Sequence, residues 1–203
     1  EMAGELSDRV RADFLSIDNG DTSEKAQAIV NCANNHRRVL NELYAMSRGE
    51  GWCIVLEDDA LPVEDFRSHA ERALAHAPSQ LIGFYCGEAS AKRNEAALEK
   101  AISDGIAWAY ASHMVSAVGY AIRARLIPQI TAVFAGEPHI TTEAYITRWA
   151  SSCGELFHYT LPSIVDHRIH QSLIFKNQKG PGRGAWRVGV PRSWQTPAVR
   201  YDP

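Results

Sequence analysis

Apolar and polar residues follow two spacings along this chain, one typical of buried strands and one of amphipathic helices. Short apolar runs bounded by turn residues predict strands, at 14–17, 53–56, 81–86 and 156–160, with one or two more within 108–122. Apolar residues recurring every three or four positions predict helices, at 1–13, 23–48, 63–76, 123–135 and 141–152. Residues 87–105 are small and polar, and predict a long surface loop or a weak helix.

The alternation of helices and strands predicts an α/β domain with a mostly parallel central sheet. We expect this domain to cover residues 1–175. The remaining residues, 176–203, are basic and rich in glycine and proline, and predict a loop or tail. Ligands of such sheets bind beyond the carboxyl ends of the strands.

Composition narrows the class of protein. The chain has 203 residues, 45% hydrophobic and 22% charged, which is enough for one substantial core. The net charge of -3 excludes a global basic field for nucleic acid. No apolar run approaches the roughly 20 residues that span a bilayer. The four cysteines form no Cys-x-x-Cys pair, which disfavours a zinc site and favours a reduced, cytoplasmic setting.

The segment with most chemical information is 52–66, Trp-Cys-Ile-Val-Leu-Glu-Asp-Asp-Ala-Leu-Pro-Val-Glu-Asp-Phe. It places Glu57, Asp58 and Asp59 directly after a predicted buried strand. Three adjacent carboxylates repel one another and resist desolvation. A hard divalent cation such as Mg²⁺ or Mn²⁺ would offset that cost and keep coordination positions for phosphates. The alternative is a solvated strand end whose acids favour the start of the next helix.

The ordered motifs of the chain resemble glycosyltransferase family 25, the group of lipopolysaccharide-type glycosyltransferases, and are most similar to small bacteriophage-encoded members. The matching blocks, in order, are His-Arg-Arg-Val at 36–39, Ile-Val-Leu-Glu-Asp-Asp-Ala at 54–60, Val-Gly-Tyr-Ala-Ile-Arg at 118–123, Leu-Pro-Ser-Ile-Val-Asp-His at 161–167 and Gln-Ser-Leu-Ile at 171–174. The resemblance implies a GT-A fold, a Rossmann-type sandwich that binds a nucleotide sugar. Because that fold opens with a strand before a helix like 1–13, we expect either that this strand lies upstream or that 14–17 contributes more to nucleotide binding.

The resemblance also implies roles for individual residues. Asp59, Glu57 and His167 become candidate metal ligands, with Asp166 as an alternative to the histidine. Glu57 or Asp58 would face the ribose or a metal-bound water, which makes Asp58 a catalytic candidate.

Candidate donor-binding residues lie on the second helix, in the acidic segment and in the tail. They are His36, Arg37, Glu57, Asp58, Lys176 and Lys179, with Arg38 and Arg183 as neighbouring alternatives. Glu143 is the candidate base that deprotonates the acceptor. A helix-start carboxylate is equally well explained by the helix dipole, and a histidine on an apolar helix face by core packing.

These roles together predict a metal-dependent, inverting glycosyltransferase that uses Mn²⁺ or Mg²⁺ and a nucleotide sugar, for which we expect a UDP-sugar. The acceptor would be a hydroxylated DNA base, a protein or a surface glycan, in the host cytoplasm if a phage encodes the chain. Two alternatives stay open: a divalent-metal phosphodiesterase or nuclease built on the same acids, and a catalytically silent nucleotide- or glycan-binding module.

Overall fold

The computed structural model describes residues 2–16, 25–134, 140–168 and 184–201. Helices in these ranges are α1 Met2–Val10, α2 Lys25–Ser47, α3 Phe66–Ala75, α4 Glu88–Ala91, α5 Glu95–Ser103, α6 Ile127–Phe134 and α7 Thr142–Cys153, with 3₁₀ turns at Lys92–Asn94 and Ala124–Leu126. The strands are β1 Trp52–Leu56, β2 Ala60–Pro62, β3 Leu81–Gly83, β4 Trp108–Ala111, β5 Gly119–Arg123, β6 Phe157–Thr160, β7 Val165–His167 and β8 Ala198–Arg200.

The main sheet has six strands in the order β1-β5-β3-β6-β4-β8. The α/β class is confirmed, but the prediction of a mostly parallel sheet is wrong. Three neighbouring pairs are antiparallel, β1 with β5, β5 with β3 and β6 with β4. Only β3 with β6 and β4 with β8 are parallel. The sheet is therefore mixed, because β5 runs opposite to both of its neighbours, β1 and β3, while β4 and β8 both run opposite to β6.

Helices cover both faces of this sheet, and the alternation of side chains along β1 explains why. Cys53 and Val55 point into a core shared with α2, α5, α6 and α7. Trp52, Ile54 and Leu56 pack against the other core, which α1 and α3 cover. Strands with apolar residues on both faces need such a double cover.

A separate two-stranded ribbon extends the end of β1. β2 pairs antiparallel with β7, with Ala60 opposite His167 and Pro62 opposite Val165. The ribbon is anchored to the main sheet because Phe84 O accepts hydrogen bonds from the backbone N–H groups of Ile164 and Val165, each at 3.1 Å. The ribbon therefore fixes the position of residues 57–59, the acidic segment, relative to His167.

Three predicted elements differ from the structure. The described part of the expected strand at 14–17, residues 14–16, has no regular structure. The expected loop or weak helix at 87–105 contains α4 and α5, because Ala91, Leu98 and Ala101 supply a buried stripe. The helix expected at 63–76 begins only at Phe66, after Asp65 adopts a left-handed backbone with φ 51°.

The described part of the C-terminal segment, 184–201, packs against the domain. β8 adds to the sheet beside β4, and the side chains of Trp186, Trp194 and Tyr201 are buried. The Trp108 indole N–H donates to Trp194 O at 3.0 Å. Residues 176–183, which include three basic side chains expected to contact a ligand, lie outside the described residues. Among the helices that are described, none combines the length and apolar character needed to cross a membrane.

Candidate functional site

The three consecutive carboxylates are separated by a turn at the end of β1. The Ala60 N–H donates to Glu57 O at 3.1 Å, which closes this turn. Asp58 is exposed, whereas the side chains of Glu57 and Asp59 are only 27% and 30% exposed. The turn therefore lowers the repulsion between the carboxylates by sending the two partly buried ones to different partners.

Asp59 is held against His167. Its Oδ2 lies 3.0 Å from His167 Nε2, and its backbone carbonyl accepts the Arg168 N–H at 2.9 Å. The imidazole is 4% exposed and sits beside the Tyr85 ring, at 6.2 Å between centroids. The second oxygen, Asp59 Oδ1, is buried and accepts no hydrogen bond from the described residues. A buried carboxylate oxygen without a donor is costly, and a cation bound there would remove that cost.

Glu57 is held by a different histidine, on α2. Its Oε1 lies 3.2 Å from His36 Nε2, while His36 Nδ1 lies 3.0 Å from the Tyr120 hydroxyl. Burial alone would lower the pKa of His36, but its neighbours Tyr120, Cys32 and Glu57 together raise this pKa well above its ordinary value. Burial raises the pKa of Tyr120, so the phenol keeps its proton at neutral pH.

Glu143 lies in the first turn of α7, as expected. Its Oε1 accepts a hydrogen bond from the Ala117 N–H at 3.2 Å, which ties the loop before β5 to the helix. This contact, with the helix dipole, gives the carboxylate a structural role. The second oxygen, Oε2, is not used in that bond.

One cleft of about 1600 Å³ joins these groups. It is lined by the candidate residues His36, Glu57, Asp58, Asp59, Glu143 and His167. The structure thus brings six of the sequence-predicted site residues to a single cavity. Arg37 lies half-buried on α2 and is not among the described residues that line the cleft. Lys176 and Lys179 lie outside the described residues.

The predicted metal set of Asp59, Glu57 and His167 divides in the structure. Asp59 and His167 are paired, whereas Glu57 joins His36 and Cys32. Among the described residues, only Cys32, His36 and Glu57 form a group of three with ligand atoms all within 4.8 Å of one another. Cys32 and Tyr120 were not predicted as site residues. The spacing of Cys32 four residues before His36 on one helix was the signal that could have identified the cysteine.

Comparisons with known proteins leave the family unassigned. No protein-family model matches the chain. No curated protein gives a significant sequence match. The resemblance to family 25 glycosyltransferases thus stays a prediction from motifs.

Proposed function

We propose that this protein is a metal-dependent glycosyltransferase that uses a nucleotide sugar. The observation that carries the proposal is the pair formed by Asp59 and His167, with Asp59 Oδ1 buried and without a hydrogen-bond donor among the described residues. The pair opens on a cleft of about 1600 Å³. Pockets of several hundred Å³ hold most small ligands, so the cleft has room for a nucleotide sugar and part of an acceptor.

The residues fit a divalent cation such as Mn²⁺. Asp59 supplies a carboxylate oxygen and His167 a ring nitrogen, and imidazole with carboxylate suits Mn²⁺ better than Ca²⁺. A cation held there would neutralise the charge that develops on a departing nucleoside diphosphate. Glu57 is left out of this pair because His36 holds its carboxylate at 3.2 Å.

Glu143 is our candidate for the group that takes the proton of the acceptor hydroxyl. It lines the same cleft as Asp59, and Ala117 N–H fixes one of its oxygens while the other is available. The helix dipole lowers the basicity of a carboxylate in this position. The contribution of Glu143 would therefore depend on placing the hydroxyl correctly more than on strong basicity. A base on the far side of the sugar from the leaving group gives inversion.

The choice of a UDP-sugar, and of Asp58 as a ribose contact, depends on the resemblance to family 25. Asp58 is exposed at the rim of the cleft, where a polar sugar would not need to be desolvated fully. The mixed sheet with helices on both faces is compatible with the GT-A class. The acceptor remains a hydroxyl compound of one of the three kinds given above.

The decisive test is a thermal-shift panel of nucleotide sugars and nucleoside diphosphates, with and without Mn²⁺. A ligand that binds only the native state raises the melting temperature by mass action. We expect one donor class to stabilise the wild type only with Mn²⁺, and Asp59→Asn to abolish that shift. Glu64→Gln is the matched control, because this exposed carboxylate lies five residues further on and outside the cleft.

The panel, together with assays of phosphodiester cleavage and of nucleoside diphosphate release, separates the alternatives. No shift with any nucleotide sugar would contradict the proposal, and cleavage of a bare phosphodiester with Mn²⁺ would replace it with a nuclease. A metal-dependent shift without release of nucleoside diphosphate in the presence of candidate acceptors would favour a binding module.

A further inference from the structure

The cleft contains a second group of potential ligands, separate from the pair of Asp59 and His167. Cys32 and His36 are four residues apart on α2, so they lie on the same face of the helix. Glu57 follows β1 and reaches this face. One sulfur, one nitrogen and one oxygen ligand atom of these residues lie within 4.8 Å of one another.

We propose that Cys32, His36 and Glu57 form a zinc site, distinct from the Asp59 and His167 pair. Thiolate and imidazole are borderline or soft ligands and favour Zn²⁺ over Mg²⁺ or Mn²⁺. Ligand atoms around a tetrahedral Zn²⁺ are separated by about 3.5 Å, as bond lengths of 2.0–2.3 Å require. The 3.2 Å between His36 Nε2 and Glu57 Oε1 is already close to that separation. Small side-chain rotations would therefore complete the site.

The contact of Tyr120 with the other ring nitrogen of His36 supports this assignment. Metal-binding histidines usually donate the N–H of their other ring nitrogen to a fixed acceptor. The Tyr120 hydroxyl lies 3.0 Å from His36 Nδ1, and the two rings are nearly parallel with centroids 6.0 Å apart. With Nδ1–H bound to this oxygen, a metal ion at the site would take the place of the proton on Nε2, the nitrogen that faces Glu57.

The site has three protein ligands and one open side. Cys32, His36 and Glu57 all line the cleft, so a fourth position would be available to water or to a ligand oxygen. Three protein ligands with an open position are typical of zinc sites that act on a ligand, whereas structural sites are closed by four. Glu57 and Asp59, two residues apart, would then serve two different metal ions.

The test is zinc binding to the metal-stripped protein, followed by calorimetry or by competition with a chromophoric chelator. We expect one Zn²⁺ per chain at this site. Cys32→Ser should weaken binding by about 100-fold and Tyr120→Phe by ~10-fold, as is usual when an outer partner of a ligand is removed. Cys153→Ser is the matched control, because Cys153 is an exposed free thiol outside the cleft, and it should bind zinc as the wild type does.

Cobalt substitution of the wild type provides a second measurement that needs no variant. Co²⁺ bound to a thiolate has a sulfur-to-metal charge-transfer band in the near ultraviolet, which Co²⁺ bound only to oxygen and nitrogen lacks. The band is expected here. Its absence from the Co²⁺-loaded protein, or zinc affinity unchanged in Cys32→Ser, would overturn the proposal. Zinc binding lost in Asp59→Asn but kept in Cys32→Ser would also overturn it, while leaving the proposed transferase site intact.

Discussion

His167 stands opposite Ala60 in the β2–β7 ribbon, and this register places its imidazole 3.0 Å from the carboxylate of Asp59. The two residues are 108 positions apart in sequence. Because side chains alternate between faces along a strand, a shift of the ribbon by one residue would turn His167 away from Asp59. The pairing of two three-residue strands therefore determines the geometry of the candidate metal centre.

A change at Glu143 can separate its structural role from a chemical one. Glu143→Gln keeps an oxygen for the Ala117 N–H but cannot accept a proton. We expect nucleoside diphosphate release from the stabilising donor, in the presence of acceptor, to fall by about 10²–10⁴-fold while the melting temperature stays unchanged. Glu143→Ala should also lose about 1 kcal/mol of unfolding free energy. A Glu143→Gln protein with the wild-type rate would exclude the base.

Two glycines, one closely packed and one open, should respond differently to substitution by alanine. A Cβ at Gly83 would lie 2.5 Å from the ring of Tyr159, which is fully buried. Gly83→Ala should therefore destabilise the protein by ~1–3 kcal/mol through overpacking. A Cβ at Gly4, in α1, meets nothing within 4 Å, so Gly4→Ala should be neutral or stabilise by about 0.5–1 kcal/mol. Chemical denaturation of both variants measures the difference, and equal effects would contradict the packing argument.

His158 gives the protein a predicted sensitivity to acid. Burial lowers the pKa of His158 to about 4, below the value of ~6.5 expected in the unfolded chain. The unfolded state therefore binds the proton more readily, and the stability conferred by neutral His158 is present above pH ~6.5 and lost as pH falls toward 4. The loss should reach about 1 kcal/mol per pH unit.

The matching variant is His158→Phe, which keeps an aromatic ring against Tyr110. Its unfolding free energy should fall less between pH 6.5 and pH 4 than that of the wild type, as measured by urea titrations at several pH values. Parallel curves for the two proteins would show that another group causes the acid sensitivity.

Asp166 connects the later segment of the chain to the ribbon. Its Oδ1 accepts the N–H groups of His167 at 2.8 Å and Ala185 at 2.6 Å. Asp166→Ala leaves two donors without this acceptor and should cost about 1–3 kcal/mol, whereas Asp166→Asn keeps an oxygen and should cost much less. Denaturation compares the two, and limited proteolysis should detect easier cleavage near 185 in the alanine variant alone. Equal stability of the two variants would argue against this anchor.

Much of the fold follows from local sequence. β1 and β5 are mostly apolar runs that pack on both faces, and such runs are recognisable without any knowledge of their neighbours. The directions of β5 and β4 could not be predicted in this way, because the residues of a strand do not show which way it runs relative to its neighbours in the sheet. Alternation of helices and strands was taken to imply parallel crossovers, and the β4 to β5 connection contains no helix among residues 112–118.

The candidate site was predictable to a similar extent. The family resemblance implied that Asp59, Glu57 and His167 bind one metal ion, and the structure brings Asp59 Oδ2 within 3.0 Å of His167 Nε2. The contact of Glu57 with His36 was not expected, because a carboxylate at the end of a strand can turn to either side of its sheet. Cys32 was not predicted because only the spacing between cysteines was considered. Its ligand group joins two residues of α2, Cys32 and His36, to Glu57 at the end of β1.

The order of strands in the sheet also has a consequence for synthesis on the ribosome. β4 lies between β6 and β8, and both of these partners come later in the chain. During translation the Trp-Ala-Tyr-Ala segment of β4 emerges with neither edge covered, and unpaired apolar strands are prone to aggregation. Both edges of β4 therefore stay without their partner strands until the end of the described chain, where β8 lies, has been made.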